Sequence, residues 1–242
     1  MTEFIIVLPV LLTLILGGFQ VALIYQAKTT LNYATFLAAR TGAVTSAHIG
    51  IMENALARGM APLYTHCGKS EEVQRARDHV REEIKAGFAR IDIINPPLSA
   101  FSDSTSIRKG TDRIIPNDSL MYRRTNAGTA SGLNIQDANL LKIRVTYCYP
   151  LYVPYIDRIL TRIMTLPEDP DNCPGCLNLY PAGGTTFENG CLVNDRFPIN
   201  AQAIVRMHSE SSMEGRNRLL SGLYQAPAVA NTALPASPSA CP

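Results

Sequence analysis

FIIVLPVLLTLILGGFQVALIY, residues 4–25, is an unbroken uncharged run at the start of a 242-residue chain. As a helix it would extend roughly 33 Å, enough to cross the hydrocarbon of a bilayer. One carboxylate, Glu3, stands just ahead of it, and the next basic residues, Lys28 and Arg40, lie beyond it. A secretory signal peptide would carry basic residues in front of a shorter apolar core and a small-residue cleavage site behind it, and none of these is convincing in this stretch. A span that begins inside the cell also needs a positive flank, so the sequence leads to the expectation that a basic leader once preceded Met1 and has been removed, or lies outside this numbering. Glu3 at the edge of hydrocarbon has two readings. It sits among lipid headgroups, or it pairs with an α-amino group, its own at Met1 or that of a neighbouring copy. Such a pair would set axial register between stacked apolar helices.

The apolar start runs on without a linker. From Gln26 to about Met60 the chain is rich in alanine and strong helix formers, and no proline falls between Pro9 and Pro62. As one helix, residues 1–60 would span about 90 Å, far more than a membrane tether requires. Within it, Pro9 removes a backbone donor and loosens the first turns, while Gly17 and Gly18 permit close approach of another helix. A helix that is greasy for its first third and small-residue-rich afterwards suits a filament core or a helix bundle.

The opening segment, from Met1 to Val44, resembles the TadE-like pilus proteins of tight-adherence systems, relatives of type IV pilins. The resemblance rests on Glu3-Phe4 ahead of the run, Leu8-Pro9 inside it and Ala38-Ala39-Arg40-Thr41-Gly42-Ala43 after it. Asn139 to Pro154 and Pro198 to Glu210 are also similar to that family, whereas the middle and the cysteine-rich part look specific to this chain. The resemblance implies a prepilin peptidase that cuts after a glycine behind a basic leader, usually leaving the glutamate as the fifth mature residue. Here it is third. It also implies assembly contacts at Met1, Glu3, Phe4, Pro9, Gly17 and Gly18, with other copies or related pilins and the pilus secretion machinery as partners. Because the family's abundant pilins are very short, a chain of this length is expected as a minor pilin or initiation component, although its long helix would also suit a whole filament.

Six cysteines (Cys67, Cys148, Cys173, Cys176, Cys191 and Cys241) all follow the apolar run. An even number on one side of a bilayer points to an oxidising compartment and structural disulfides, with 15 pairings open. Cys173-Pro-Gly-Cys176 has thioredoxin-type spacing but lies in a loop after Glu168-Asp-Pro-Asp-Asn and does not open a helix after a strand. A zinc knuckle would have to join Cys191 to distant His208 or His66. Glu168, Asp169 and Asp171 lack the glycine and spacing of a calcium loop. No metal or cofactor is expected. Net charge is +2, with basic residues scattered, so nucleic acid is not an expected partner.

Beyond residue 60 a coarse order is legible. Ser70 is a candidate N-cap, with Glu71 and Glu72 in the first turn of a helix. Its apolar stripe is Val73, Ala76, Val80, Ile84, Phe88 and Ile91, and Asn95-Pro96-Pro97 closes it. Residues 98–138 read as a long polar loop with one or two short strands. Leu141, Ile143, Val145 and Tyr147 alternate with polar residues as a half-buried strand, and Ile199 to Met207 offer its partner. Pro154 opens a further helix with Tyr155, Ile156, Ile159, Leu160, Ile163 and Met164 on one face. The fold class expected is α+β: a long N-terminal pilin-like helix over 1–60 carrying a small disulfide-stapled head with an antiparallel sheet over 61–242.

Catalytic patterns are missing. No Gly-x-Ser-x-Gly elbow, phosphate loop, His-Glu-x-x-His helix or haem-attachment motif occurs. His79 reads as solvent-exposed, and Glu82 with Glu83 as a solvated face. The expectation is a non-enzymatic pilin-like subunit, held in the inner membrane with a periplasmic head and assembled into an extracellular adhesive pilus. Two other classes stay open. One is a permanently anchored periplasmic assembly factor. The other is a tip pilin or adhesin, which an exposed patch of Tyr147, Tyr149, Tyr152 and Tyr155 would favour. A thiol oxidoreductase would need an exposed, reducible Cys173/Cys176 pair.

Overall fold

A computed structural model describes residues 2–65, 69–103, 106–153 and 186–217, with side chains of the first helix described from Val7 onward. The expected 60-residue helix is two helices: α1, Thr2–Val44, and α2, Ile49–Tyr64. Between them Ser46 and Ala47 take φ of 56° and 58°, the left-handed region that side chains disfavour. The turn is held from outside. The Ala43 carbonyl accepts from the backbone N–H groups of His208 and Ser209, the Ser46 N–H donates to Ser209 Oγ, and the Ser46 carbonyl accepts from Ser212 N–H. A loop far along the chain therefore stops the helix where no glycine or proline does.

After the turn α2 runs back antiparallel along α1. A Cβ on Gly59 would stand 2.6 Å from the Ala34 Cα, so only glycine permits this backbone-close crossing. α2 continues past Pro62 before the chain enters α3, Ser70–Lys85. Ser70 is the first helical residue and not the cap, which is Lys69. Glu71 and Glu72 occupy the first turn as expected. α3 is shorter than its apolar spacing suggests. Gly87, at φ 84°, donates to the Ile84 carbonyl and Phe88 N–H donates to the Glu83 carbonyl, a Schellman closure. Ile91 thus belongs to a strand, β1, Ala89–Asn95.

β1 pairs antiparallel with β4, Leu140–Pro150, which pairs antiparallel with β5, Arg196–Arg206, so β4 is central. The pairing Val145 to Ala201 and Ile91 to Val145 stacks one apolar face across all three strands. That face joins the buried residues of α1, α2 and α3 in one core, from Ala27 and Leu31 to Tyr149 and Met207. Residues 98–138 carry a small unit of their own. A 3-10 helix at Leu98–Ser102 precedes β2, Ile107–Lys109, and β3, Asp112–Ile115. A second 3-10 turn, Leu120–Tyr122, leads to α4, Ile135–Ala138. Phe101, Ile115, Leu120 and Ile135 pack together there, and β3 also pairs with β6, Ser211–Ser212.

The remaining described helices are α5, Thr186–Val193, and α6, Met213–Asn217. Cys148 on β4 is bonded to Cys191 on α5, with Phe88 and Phe187 buried beside them. Closing a loop of 43 residues is worth about 4 kcal/mol in a chain-entropy account. Cys67, Cys173, Cys176 and Cys241, the helix expected after Pro154, and the acidic loop at Glu168 to Asp171 lie outside the described residues.

Candidate functional site

α1 carries the residues expected to make assembly contacts, and its two halves meet different surroundings. Leu14, Phe19 and Tyr25 are 72%, 64% and 71% exposed, and the neighbouring Val7, Val10, Leu11 and Val21 are exposed as well. Leu31, Ala34, Thr35, Ala38, Ala39 and Ala43 are buried. By length and composition α1 is long and apolar enough to cross a membrane, and its most apolar window is almost wholly uncovered. The helix runs through Pro9 without interruption. Around Gly17 and Gly18 a Cβ would meet open space, so both glycines remain accessible to another helix. Thr13 returns its hydroxyl to the Val10 carbonyl, which satisfies its polar group within the helix, as hydrocarbon requires.

Exposure does not end at the head. Tyr33, Phe36, Arg40 and Val44 stay exposed at helical spacing while the opposite side of α1 is core. A largely apolar and aromatic edge, with Arg40 within it, therefore continues from the free half of α1 along the outside of the folded half.

Behind that folded half lies a buried polar cluster. Glu83 on α3 pairs through Oε1 with Arg196 Nη1 at 2.9 Å. Its Oε2 accepts from the Tyr147 hydroxyl on β4 and, at 3.3 Å, from the Tyr64 hydroxyl at the end of α2. The two tyrosine hydroxyls also touch each other. Arg196 lies over the Phe88 ring at 3.7 Å and donates to the Cys148 carbonyl. Burial first, then the Glu83 charge, pushes the Tyr64 hydroxyl well above its ordinary pKa; for Tyr147, burial is followed by Tyr64 and Glu83. Both tyrosines therefore remain neutral donors. The cluster ties α2, α3, β4 and β5 together.

Residues 1–40 match the family model described as TadE-like protein. The chain is TadE-like there. No curated protein and no solved structure matched the chain. The TadE-like stretch covers the exposed half of α1 and most of the buried half, so the likeness to that pilus-related family falls on the helix that is long and apolar enough to cross a membrane. Asn139 to Pro154 and Pro198 to Glu210, expected to share the likeness, lie beyond the match.

The expected site residues are placed as follows. Glu3 and Phe4 fall in the first turns of α1, with Pro9, Gly17 and Gly18 on the same uncovered half; Met1 is outside the described residues. Cys191 is bonded to Cys148, which removes it as a thiolate partner for His208 or His66. Tyr147 and Tyr149 are core residues, so the exposed tyrosine patch expected of an adhesin does not form from them; Tyr155 lies outside the described residues. Glu83 is not a solvated surface residue but the hub of the buried cluster. His79 is half-buried, its ring 4.7 Å from that of Tyr64. A signal for Glu83 existed: Val80, Glu83 and Ile84 share one helical face, and a carboxylate on an apolar stripe asks for a buried partner.

Proposed function

We propose that this chain is a non-enzymatic, pilin-like structural subunit. It is held in the inner membrane with its head in the periplasm, then assembles through α1 into an extracellular filament. The observation that carries this reading is that one uninterrupted helix has most of its large apolar side chains uncovered along Val7–Tyr25, Gln20 apart, and is the spine of the head beyond Ala27. A tether needs only the span. A helix that continues from an uncovered apolar half into a folded core gives each subunit a fixed handle. Lipid is as apolar as a partner helix, so assembly depends on close packing at Gly17 and Gly18, on polar pairing at Glu3 and on energy from the export machinery. Other copies or related pilins, a prepilin peptidase and the secretion machinery are the partners this reading entails. The Cys148–Cys191 bond suits a head that works outside the reducing cytoplasm.

The test is to shear surface filaments from cells, probe them for this chain and measure the mass of its N-terminal peptide. Recovery in the sheared fraction is expected. Glu3→Ala should leave the chain folded and membrane-inserted yet absent from filaments. Normal incorporation of that variant removes the pairing role of Glu3. Confinement of the wild-type chain to the membrane under filament-forming conditions overturns the filament role and leaves the anchored assembly factor.

A further inference from the structure

The strand β4 does not simply leave the core at Pro150. Its exit, Leu151–Val153, comes back to α1, where the Val153 N–H donates to Gln20 Oε1 at 3.0 Å. Gln20 is 1% exposed, although it sits inside the apolar run between exposed Phe19 and Val21. Its position is five residues before Tyr25, about 7.5 Å along the helix axis. The contact is thus below the end of the run, on the hydrocarbon side of Tyr25. An irregular backbone at that depth needs its donors satisfied by protein, which the Gln20 carbonyl does for Val153.

The loop and the next turns of α1 carry side chains with the character of a membrane boundary. Tyr152 is 46% exposed, and its ring meets the buried Tyr149 ring edge-on at 5.7 Å, which fixes it to the sheet. Tyr25 is exposed on α1, and Lys28 follows one turn later, half-buried. Tyrosines gather where an apolar body and a wet hydroxyl are both accommodated, and a lysine there lays its stem along apolar surface with the ammonium among headgroups.

From the Gln20 contact and its depth we infer that the β4 exit, Leu151–Val153, with Tyr152 exposed and Gln20 as its tether, is a membrane-contacting surface of the head, seated in the lipid–water interface near the level of Tyr25. The occupant is the bilayer interface, because the loop adjoins the span at a depth that the span itself sets. The head therefore leans on the membrane through β4 and is not held clear of it by a stalk. The inference rests on α1 being a membrane span, and the test separates the two.

The chain contains no tryptophan, so single tryptophans report without background. Full-length Tyr152→Trp, Tyr25→Trp and Tyr122→Trp would each be reconstituted in phosphatidylcholine vesicles brominated either near the headgroups or at the acyl-chain ends. Tyr122, 88% exposed in the 98–138 unit, supplies the water-facing reference. Tyr152→Trp and Tyr25→Trp should both emit to the blue of Tyr122→Trp and lose intensity chiefly to the shallow bromines. Quenching of Tyr25→Trp with Tyr152→Trp indistinguishable from Tyr122→Trp would overturn the inference and leave the span intact. Failure to quench Tyr25→Trp overturns the span as well. Gln20→Leu added to Tyr152→Trp should shift emission to the red with loss of shallow quenching; unchanged emission rejects Gln20 as the tether.

Discussion

Residues Val7–Tyr25 and Ala27–Val44 belong to one helix, yet the same side-chain chemistry has opposite fates in its two parts. Leucines at 11, 12 and 14 are exposed, whereas Leu31 is fully buried against α2 and the sheet. Burial in the second part correlates with small residues. Ala34, Ala38, Ala39, Gly42 and Ala43 let α2 and the sheet approach, and Gly59 answers Ala34 across the crossing. The first part is larger in side chain and lacks such a partner among the described residues. Hydrophobicity alone therefore does not say what a helix packs against. Residue size separates a surface shaped for a specific neighbour from one that lipid or another copy can cover.

The largest expected effect comes from breaking the cluster that braces the folded half. Glu83→Ala leaves Arg196 without its carboxylate over the Phe88 ring and two tyrosine hydroxyls without their acceptor. The head should lose about 4 kcal/mol of stability, read as a fall in thermal midpoint by near-ultraviolet circular dichroism. Membrane association of the same variant should be unchanged, because the uncovered half of α1 makes none of these contacts. Loss of both together would mean that the two halves are not independent. Glu83→Met with Arg196→Met should recover much of the loss, since it removes both buried charges.

One substitution placed in each half sharpens the contrast directly. Leu31→Ala should destabilise the head by about 3 kcal/mol, by transfer and by the cavity it leaves beside α2. Leu14→Ala, at a position 72% exposed, should leave the urea midpoint of the head in detergent unchanged. Equal effects at the two positions would show that the first half folds back onto protein and would break the comparison.

How much of this the sequence displayed depends on whether a feature was local. β4 and β5 were legible because Leu141, Ile143, Val145 and Tyr147 alternate strictly, as do Ile199, Ala201 and Ala203, and a period of two admits no helix. β1 was hidden because Phe88 and Ile91 extend the spacing of Val80 and Ile84, so the stripe reads as one helix until Gly87 is given its positive φ. The end of α1 was not visible at all. Ser46 and Ala47 carry no turn signal, and the groups that hold them belong to His208, Ser209 and Ser212, more than 150 residues away. The same holds for Glu83, whose partners come from three other elements, and for Cys148–Cys191, one of many pairings the spacing allowed. For the candidate site, the uncovered run could be read in full, but the Gln20 contact could not, because its partner is a backbone N–H 133 positions further along the chain.

The smallest expected effect tests whether the head has a part that answers to neither half of α1. Asp103 is buried in the 98–138 unit, whose apolar residues pack apart from the main core. Its carboxylate accepts from the Ala130 N–H at 2.7 Å, the Ser131 N–H at 3.3 Å and the Ser131 hydroxyl, and so pins the segment before α4. The Ser131 hydroxyl first, then the Ala130 N–H, holds its pKa below the ordinary carboxylate value, against a smaller opposing contribution from burial. A carboxylate with a depressed folded pKa contributes stability above its unfolded value, about 3.9, and loses it as pH falls through the folded value. Asp103→Asn should therefore lower stability by about 1 kcal/mol at neutral pH and flatten the decline below pH ~4. Urea midpoints measured across that range decide it. If the acid decline persists unaltered in Asp103→Asn, its source lies elsewhere in the head. If it flattens while the Leu31→Ala penalty is the same at both ends of the range, the 98–138 unit titrates without disturbing the packing of α1. The spine and its decoration are then separable, and the contrast along α1 concerns the spine alone.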